Sequence, residues 1–285
     1  MNIELSLAFG LLTASAFGTA DFIAKLSTNK IGFLRTAMLM QVIGSFLIIP
    51  FAASDFSRLA YQPVVLLEGI ALGLINVTAT IALYKGFEVG RLSIVSPIAS
   101  SYPVVSILLA VLFLGEVISE ELLVGICLVI VGVILVSVQK ERNEIKKRFA
   151  KGTFYAIAYM VLGGILFFGL KPVSLVLGVY LPVLLLRWTS ALVLIIVFFS
   201  KPRISSGSKA LALVFGVAAF DTFANVIYNV GVSFGTVTVV STVGGLFSAV
   251  TVLLARVFLK DSLSKTQVAG FLAISLGITV LGLVG

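Results

Sequence analysis

Residues 90–138 of this chain recur as residues 235–283, aligned without a gap at a constant offset of 145. Gly90 falls on Gly235, Ser96 on Ser241, Leu108-Leu109-Ala110 on Leu253-Leu254-Ala255 and Phe113-Leu114 on Phe258-Leu259. Glu116 then meets Asp261, Ser119 meets Ser264, Gly125 meets Gly270 and Gly132 meets Gly277. Only a minority of positions are identical, and apolar segments resemble one another by composition alone. The coincidences among small and polar residues carry the weight, because such residues are scarce here. A repeat of this length constrains architecture more than any local motif. The chain is a duplication.

What is duplicated belongs in a membrane. Hydrophobic residues make up 60% of the chain and charged residues 11%, where a soluble domain carries about 25% charged residues. A helix needs ~20 apolar residues to cross ~30 Å of hydrocarbon. Ten such segments fit, near 5–26, 32–53, 63–84, 91–113, 120–138, 152–170, 178–200, 210–232, 237–258 and 265–284. The expected fold is therefore an all-α integral membrane protein of ten transmembrane helices, with no room for a soluble domain. Glu4, with no Lys or Arg beside it, makes the first segment unlike a signal peptide. Cys127 is the only cysteine, so no intrachain disulfide forms. The absence of histidine removes imidazole metal ligands, His proton relays and Ser-His or Cys-His nucleophile pairs. No phosphate-cradling loop, metal motif or cofactor motif is present, and nothing points to nucleic acid. The sequon Asn76-Val77-Thr78 lies within a span and is discounted.

Basic residues set the topology. Connections after odd-numbered spans hold or adjoin Lys25, Lys30, Arg35, Lys85, Arg91, the basic residues of 140–151, Lys201, Arg203, Lys209, Arg256, Lys260 and Lys265. The other side has Arg58, Lys171 and Arg187. The positive-inside rule puts the odd connections in the cytoplasm and both termini outside. Equivalent connections in the two copies differ in sign or strength. Connection 4–5 is acidic (Glu116, Glu120, Glu121), for example, while 9–10 carries Lys260 and Lys265. A unit with an odd number of spans inserts its second copy upside down, and this charge pattern follows. The chain thus reads as two inverted five-helix repeats, 1–138 and 152–285, an arrangement many secondary transporters use for alternating access. The linker 139–151, with six basic residues against two Glu, fits a solvated topology determinant. It also fits a segment lying on anionic lipid headgroups between Lys140 and Lys151.

Helix ends and packing faces carry ordinary signals. Ser264 with Gln267 forms a capping box, and Ser119 precedes two Glu in a first turn. Gly125, Gly132, Gly270 and Gly277 recur at seven-residue spacing, which lets helices approach closely and marks spans 5 and 10 as scaffold.

Polar residues inside the spans are the functional candidates, since a charge at the bilayer centre costs ~2.5–3.5 kcal/mol on insertion scales. In span 3, Asn76, Thr80 and Tyr84 share one helical face. At +145 stand Asp221, Asn225 and Asn229, also polar. Such stripes serve either as cavity walls or as hydrogen-bond ladders between helices; their recurrence in both copies favours a cavity. Span 4 carries Ser93, Ser96, Ser100 and two prolines, Pro97 and Pro103, which interrupt backbone pairing. Span 9 has Thr238, Ser241, Gly244-Gly245 and Ser248 there. Broken helices at related places in two halves point to a transporter binding site. Asp221, the deepest carboxylate, is the first candidate proton carrier and Asp21 the second, although Lys25 one turn away offers Asp21 a partner. Arg35 and Arg187 sit early in spans 2 and 7 and read as equivalent structural or headgroup residues.

Phe17-Gly18-Thr19-Ala20-Asp21-Phe22 with Lys25, Tyr84-Lys85-Gly86-Phe87-Glu88-Val89-Gly90, Ser96-Pro97-Ile98, Tyr102-Pro103 and Leu112-Phe113-Leu114-Gly115-Glu116 resemble the ten-helix EamA-type branch of the drug/metabolite transporter superfamily. The resemblance spans the whole chain. It implies two inverted five-helix repeats, with spans 1, 3, 4, 6, 8 and 9 around a central cavity. Asp21, Asn76, Tyr84, Ser96, Ser100, Asp221, Asn225 and Ser241 would lie at or near that cavity. It also implies transport of small metabolites, amino acids among them. Phe17 stands where the family usually has Trp, and its members are usually taken to have cytoplasmic termini, the reverse of the orientation the loop charges give.

The reading that results is a secondary carrier for a small polar or amphipathic metabolite (amino acid-like, amine, nucleoside or sugar). Its expected substrate contacts are Asn76, Thr80, Tyr84, Ser96, Ser100, Asn225, Asn229 and Ser241, with Asp221 and Asp21 for protons. An intramembrane lipid-modifying enzyme would need nucleophile, base or metal clusters that the sequence does not offer. A non-transporting scaffold would leave the inward polar stripes without a purpose. Oligomeric state leaves no mark on the sequence.

Overall fold

A computed structural model of the protein describes residues 3–61, 63–114, 119–137, 143–198, 208–235, 237–260 and 264–284. Every regular element among them is helical. The order is α1 (Ile3–Ile31), α2 (Phe33–Ala52), a 3₁₀ segment (Ala53–Tyr61), α3 (Pro63–Val89), α4 (Leu92–Ala99), α5 (Tyr102–Leu114) and α6 (Glu120–Ser137). The second half runs α7 (Asn143–Leu177), α8 (Leu181–Phe198), α9 (Ser208–Phe234), α10 (Val237–Gly244), α11 (Phe247–Leu254), a π turn (Ala255–Leu259) and α12 (Lys265–Val284). Seven segments are long and apolar enough to cross a membrane, with α4–α5 and α10–α11 each counted as one. Shorter apolar stretches in α6, α8 and α12 complete a set consistent with ten spans. The capping residue Gln267 has no described side chain, and of the linker 139–151 residues 139–142 lie outside the described residues. The rest of the linker's backbone continues α7 as helix from Asn143.

Spans 4 and 9 are broken, as their prolines and glycines foretold, and at equivalent residues. In the first half Ser100 N donates to Ser96 O (2.8 Å), Ser101 N to Ile98 O (3.2 Å) and Val104 N to Ser101 O (3.1 Å). Adding 145 to each number gives the second half: Gly245 N to Ser241 O (2.8 Å), Leu246 N to Val243 O (3.1 Å) and Ala249 N to Leu246 O (2.9 Å). The first break has a chemical cause. Pro103 has no N–H for the Ala99 carbonyl, so helical pairing cannot continue, and the Ser100 and Ser101 hydroxyls donate instead to Pro97 O (2.9 and 3.1 Å). The second copy reaches the same geometry through Gly244-Gly245. A Cβ on Gly245 would stand 3.0 Å from Ser100 O, so the two breaks face each other.

The scaffold spans show the inversion directly. A Cβ on Gly132 would lie 2.7 Å from Gly270 O, and one on Gly277 would lie 2.8 Å from Gly125 O. Rising numbers on α6 meet falling numbers on α12, so these equivalent helices cross antiparallel, and the offset of 145 exchanges the two contacts. The first spans obey the same symmetry with one extra residue of offset. Gly18 packs on Phe247 O and Val250, as Gly164 packs on Tyr102 O and Val105. Gly32 and Gly178 hold φ of 84° in the turns that open α2 and α8, a backbone region that glycine enters without penalty. Lys25 Nζ donates to the carbonyls of Phe87 and Gly90, the latter at 3.0 Å, and Lys171 Nζ donates to Gly235 O at 3.3 Å. These lysines steady equivalent turns at opposite ends of the bundle. Phe9, stacked on Phe234 beside Gly235, lies sixteen residues or ~24 Å of helix before Lys25.

Candidate functional site

At an offset of 146 Gln41 in α2 becomes Arg187 in α8, and at 145 Asn76 in α3 becomes Asp221 in α9. The four side chains meet where the two halves cross. Arg187 Nη1 donates to Gln41 Oε1 (2.9 Å) and contacts Met40 Sδ (2.8 Å). Its Nη2 pairs with Asp221 Oδ2. Asn225 Nδ2 donates to Asp221 O (2.8 Å) and Oδ2 (3.2 Å). On the other flank Asn76 Nδ2 donates to Ser190 Oγ (3.0 Å), which donates to Gly73 O (3.2 Å). Each half thus contributes the same two positions, as a pair of amides in one and as a guanidinium with a carboxylate in the other. Arg187 is 2% exposed. An isolated charge at that depth would be prohibitive, and Asp221 and Gln41 make it tolerable.

This corrects two readings of the sequence. Arg187 is neither the counterpart of Arg35 nor a headgroup residue, and it does not belong among the loop charges. The cause of the error is register: with one residue gained between α1 and α7, Arg35 aligns with Leu181. Asp221, with no basic residue near it in its own helix, draws its partner from a different one.

Against this cluster lies a small polar cavity of about 30 Å³, room for a water or two. Asn76, Thr80 and Tyr84 of α3 line it with Asp221 and Asn225 of α9, so five residues of the two polar stripes converge on one space. Phe17 from α1, Met40 from α2, Leu83 from α3, and Tyr159, Leu166 and Phe167 from α7 complete the walls. Asp21, one turn beyond Phe17 on α1, is 7% exposed with the Ser96 hydroxyl beside it, and both lie outside the cavity's lining.

Four of the eight expected contacts lie outside this lining, Ser96 beside Asp21 and three others. Asn229 donates to Val179 O (2.9 Å) and fixes the turn before α8. Ser100 belongs to the helix break described above. The Ser241 hydroxyl meets that of Tyr228 (2.7 Å), while its carbonyl accepts from Tyr102 (3.1 Å). Each of these groups makes a hydrogen bond to a neighbouring part of the bundle. The sequence reading missed Gln41, Met40, Tyr159, Phe167 and the role of Arg187. A polar residue recurring at +146 in two apolar spans was the signal for Gln41 and Arg187. Met40 and the aromatic residues left none.

A larger cavity of about 480 Å³ lies between α2 and α9. Its walls include Ile48 and Val226, and Phe51, Phe220 and Phe223 are exposed at its rim. In the other half Gly69 and Gly73 let α3 pack closely on Leu185 and Thr189. Val214 and Ala218 stand at the equivalent positions of α9. This groove offers almost nothing polar.

The sequence profile of the EamA-like transporter family matches residues 5–138 and again residues 150–283. An uncharacterized protein of Methanocaldococcus jannaschii is 26% identical over 136 residues, 48% of this chain and 98% of that protein. A stretch the length of one repeat therefore matches nearly all of it. An uncharacterized transporter of Helicobacter pylori (strain 26695) is 25% identical over 169 residues, 57% of this chain, and the alignment spans about half (53%) of that transporter. One crystal structure shares the fold with a TM-score of 0.72 at 17% identity, over 98% of this chain and 96% of that one.

Proposed function

The chain belongs to the EamA-like transporter family, and from that premise we propose that it is a secondary carrier, moving a small polar or amphipathic metabolite by alternating access. The observation that carries this reading is the placement of the polar cavity. It lies on the cluster where α2, α3, α8 and α9 cross, between halves that run in opposite directions. A site on such an axis can face either side through equivalent movements of two equivalent halves. The breaks in spans 4 and 9 supply matched hinges, and Lys25 and Lys171 hold the turns that feed them. The site draws its selectivity from Asn76, Thr80, Tyr84 and Asn225. Any proton taken up sits on Asp21, because Arg187 and Asn225 already engage Asp221.

Uptake into proteoliposomes tests this. Across a panel of labelled amino acids, amines, nucleosides and sugars, the protein gives saturable uptake of at least one class. Asn225→Leu, which removes a polar side chain from the cavity wall without adding a charge, lowers that uptake at least tenfold, the effect expected for a polar contact worth about 1.4 kcal/mol or more. Uptake that never saturates, or that the substitution leaves unchanged, contradicts the reading.

A further inference from the structure

The charges around the cavity restrict what it can hold. Asp221 stands in its wall and pairs with the Arg187 guanidinium, and a second carboxylate, Asp21, lies just behind the wall, one turn beyond the lining residue Phe17. Gln41 and Asn225 occupy further positions on the Asp221–Arg187 pair, while Arg187 Nε has no hydrogen-bonding partner among the described residues. Asp21 is the odd member. It is more than nine-tenths buried, and its Oδ2 has no hydrogen-bonding partner among the described residues. Lys25, one turn along α1, points its ammonium at the carbonyls of Phe87 and Gly90. An unpartnered buried carboxylate oxygen is relieved by a proton or by a cation.

The walls near Asp21 match a cation with an apolar body. Phe17 precedes it by one turn, and Phe167 sits edge-on to Phe17 with ring centroids 5.8 Å apart. The Tyr84 and Tyr159 rings line the same cavity as Phe17 and Phe167. Aromatic faces attract ammonium groups, most strongly where water is excluded. An anion finds no equivalent welcome. A ligand carboxylate would have to take Arg187 from Asp221, and Gly44 packs over the remaining guanidinium nitrogen, with a Cβ there only 3.1 Å from Nε.

We infer that the substrate is an organic monocation, a small protonated amine with an apolar or aromatic body, and that Asp21 receives its ammonium group. This rests on the carrier reading and selects one of the substrate classes it allows. At about 30 Å³ the cavity is closed around water, so the amine binds a more open arrangement of the same walls.

Phenethylamine, 2-phenylethanol and 3-phenylpropionate share one body and differ in charge. They are titrated into the purified full-length protein in detergent, with binding read by calorimetry and by the rise in melting temperature. The amine binds at least tenfold more tightly than the alcohol or the acid, and Asp21→Asn removes that preference while Asp21→Glu keeps it. The comparison among the three compounds on the unaltered protein needs no variant to fold. An alcohol or acid that binds as well as the amine, an Asp21→Asn protein that binds the amine undiminished, or no binding of any of the three overturns the assignment. The proteoliposome panel spans all four substrate classes, so uptake of a neutral or anionic compound would end this inference and leave the carrier reading intact.

Discussion

Arg187→Leu destabilises the protein by about 3 kcal/mol or more, within the range for breaking a buried ion pair from one side, and Asp221→Asn in the same chain recovers most of the loss. The single substitution leaves a carboxylate at the crossing of the two halves with its cation gone, while Asn225 alone still donates to it. The double substitution removes both charges. Unfolding of the four proteins of this cycle in detergent gives the coupling directly. A sharper variant follows from the symmetry. Arg187→Gln with Asp221→Asn writes the first half's own residues, Gln41 and Asn76, into the second, and it should fold about as well as the parent. Additive losses would mean that the pair contributes nothing as a pair.

Gly132→Ala and Gly277→Ala each cost about 1–3 kcal/mol, the range for overpacking, and they cost nearly the same. In each case the new Cβ meets the backbone of the partner helix, at 2.7 Å from Gly270 O or 2.8 Å from Gly125 O. Backbone cannot rotate away as a side chain can, so α6 and α12 must separate. Between membrane helices that separation forfeits close packing, which is much of what holds them together. Gly216→Ala is the control, because its Cβ would find only Ile23 Cδ1 at 3.4 Å, and it should be neutral. A large difference between Gly132→Ala and Gly277→Ala would show that the two halves do not share this contact.

The architecture was legible because scarce residues marked it. Small and polar positions aligned at a fixed offset, the loop charges changed between copies, and Pro97 and Pro103 announced a break that Gly244-Gly245 repeated in other chemistry. The cavity was half legible. Helical spacing put Asn76, Thr80, Tyr84, Asp221 and Asn225 on matching faces, and they do converge. Periodicity could not tell that face from the one Asn229 uses to hold Val179 O, nor tell a cavity serine from Ser241, since a polar side chain in a membrane serves a neighbouring helix as readily as a solute. Arg187 was misread because spans 2 and 7 share too little sequence to fix their register, and Arg35 offered a false match. Its partners come from α2 and α9, contacts that only the folded chain brings together. Met40 and Phe167 carry no polar signal; proximity alone makes them walls.

Access to the cavity from each side of the membrane is the most direct measure of alternating access. With Cys127, the only cysteine, replaced by Ser, Thr80→Cys carries a single thiol on the cavity wall. A membrane-impermeant maleimide is added to right-side-out and to inside-out vesicles. The account predicts labelling from both sides, with loss of uptake once the thiol is modified. Labelling from one side only, or labelling that leaves uptake intact, would contradict it.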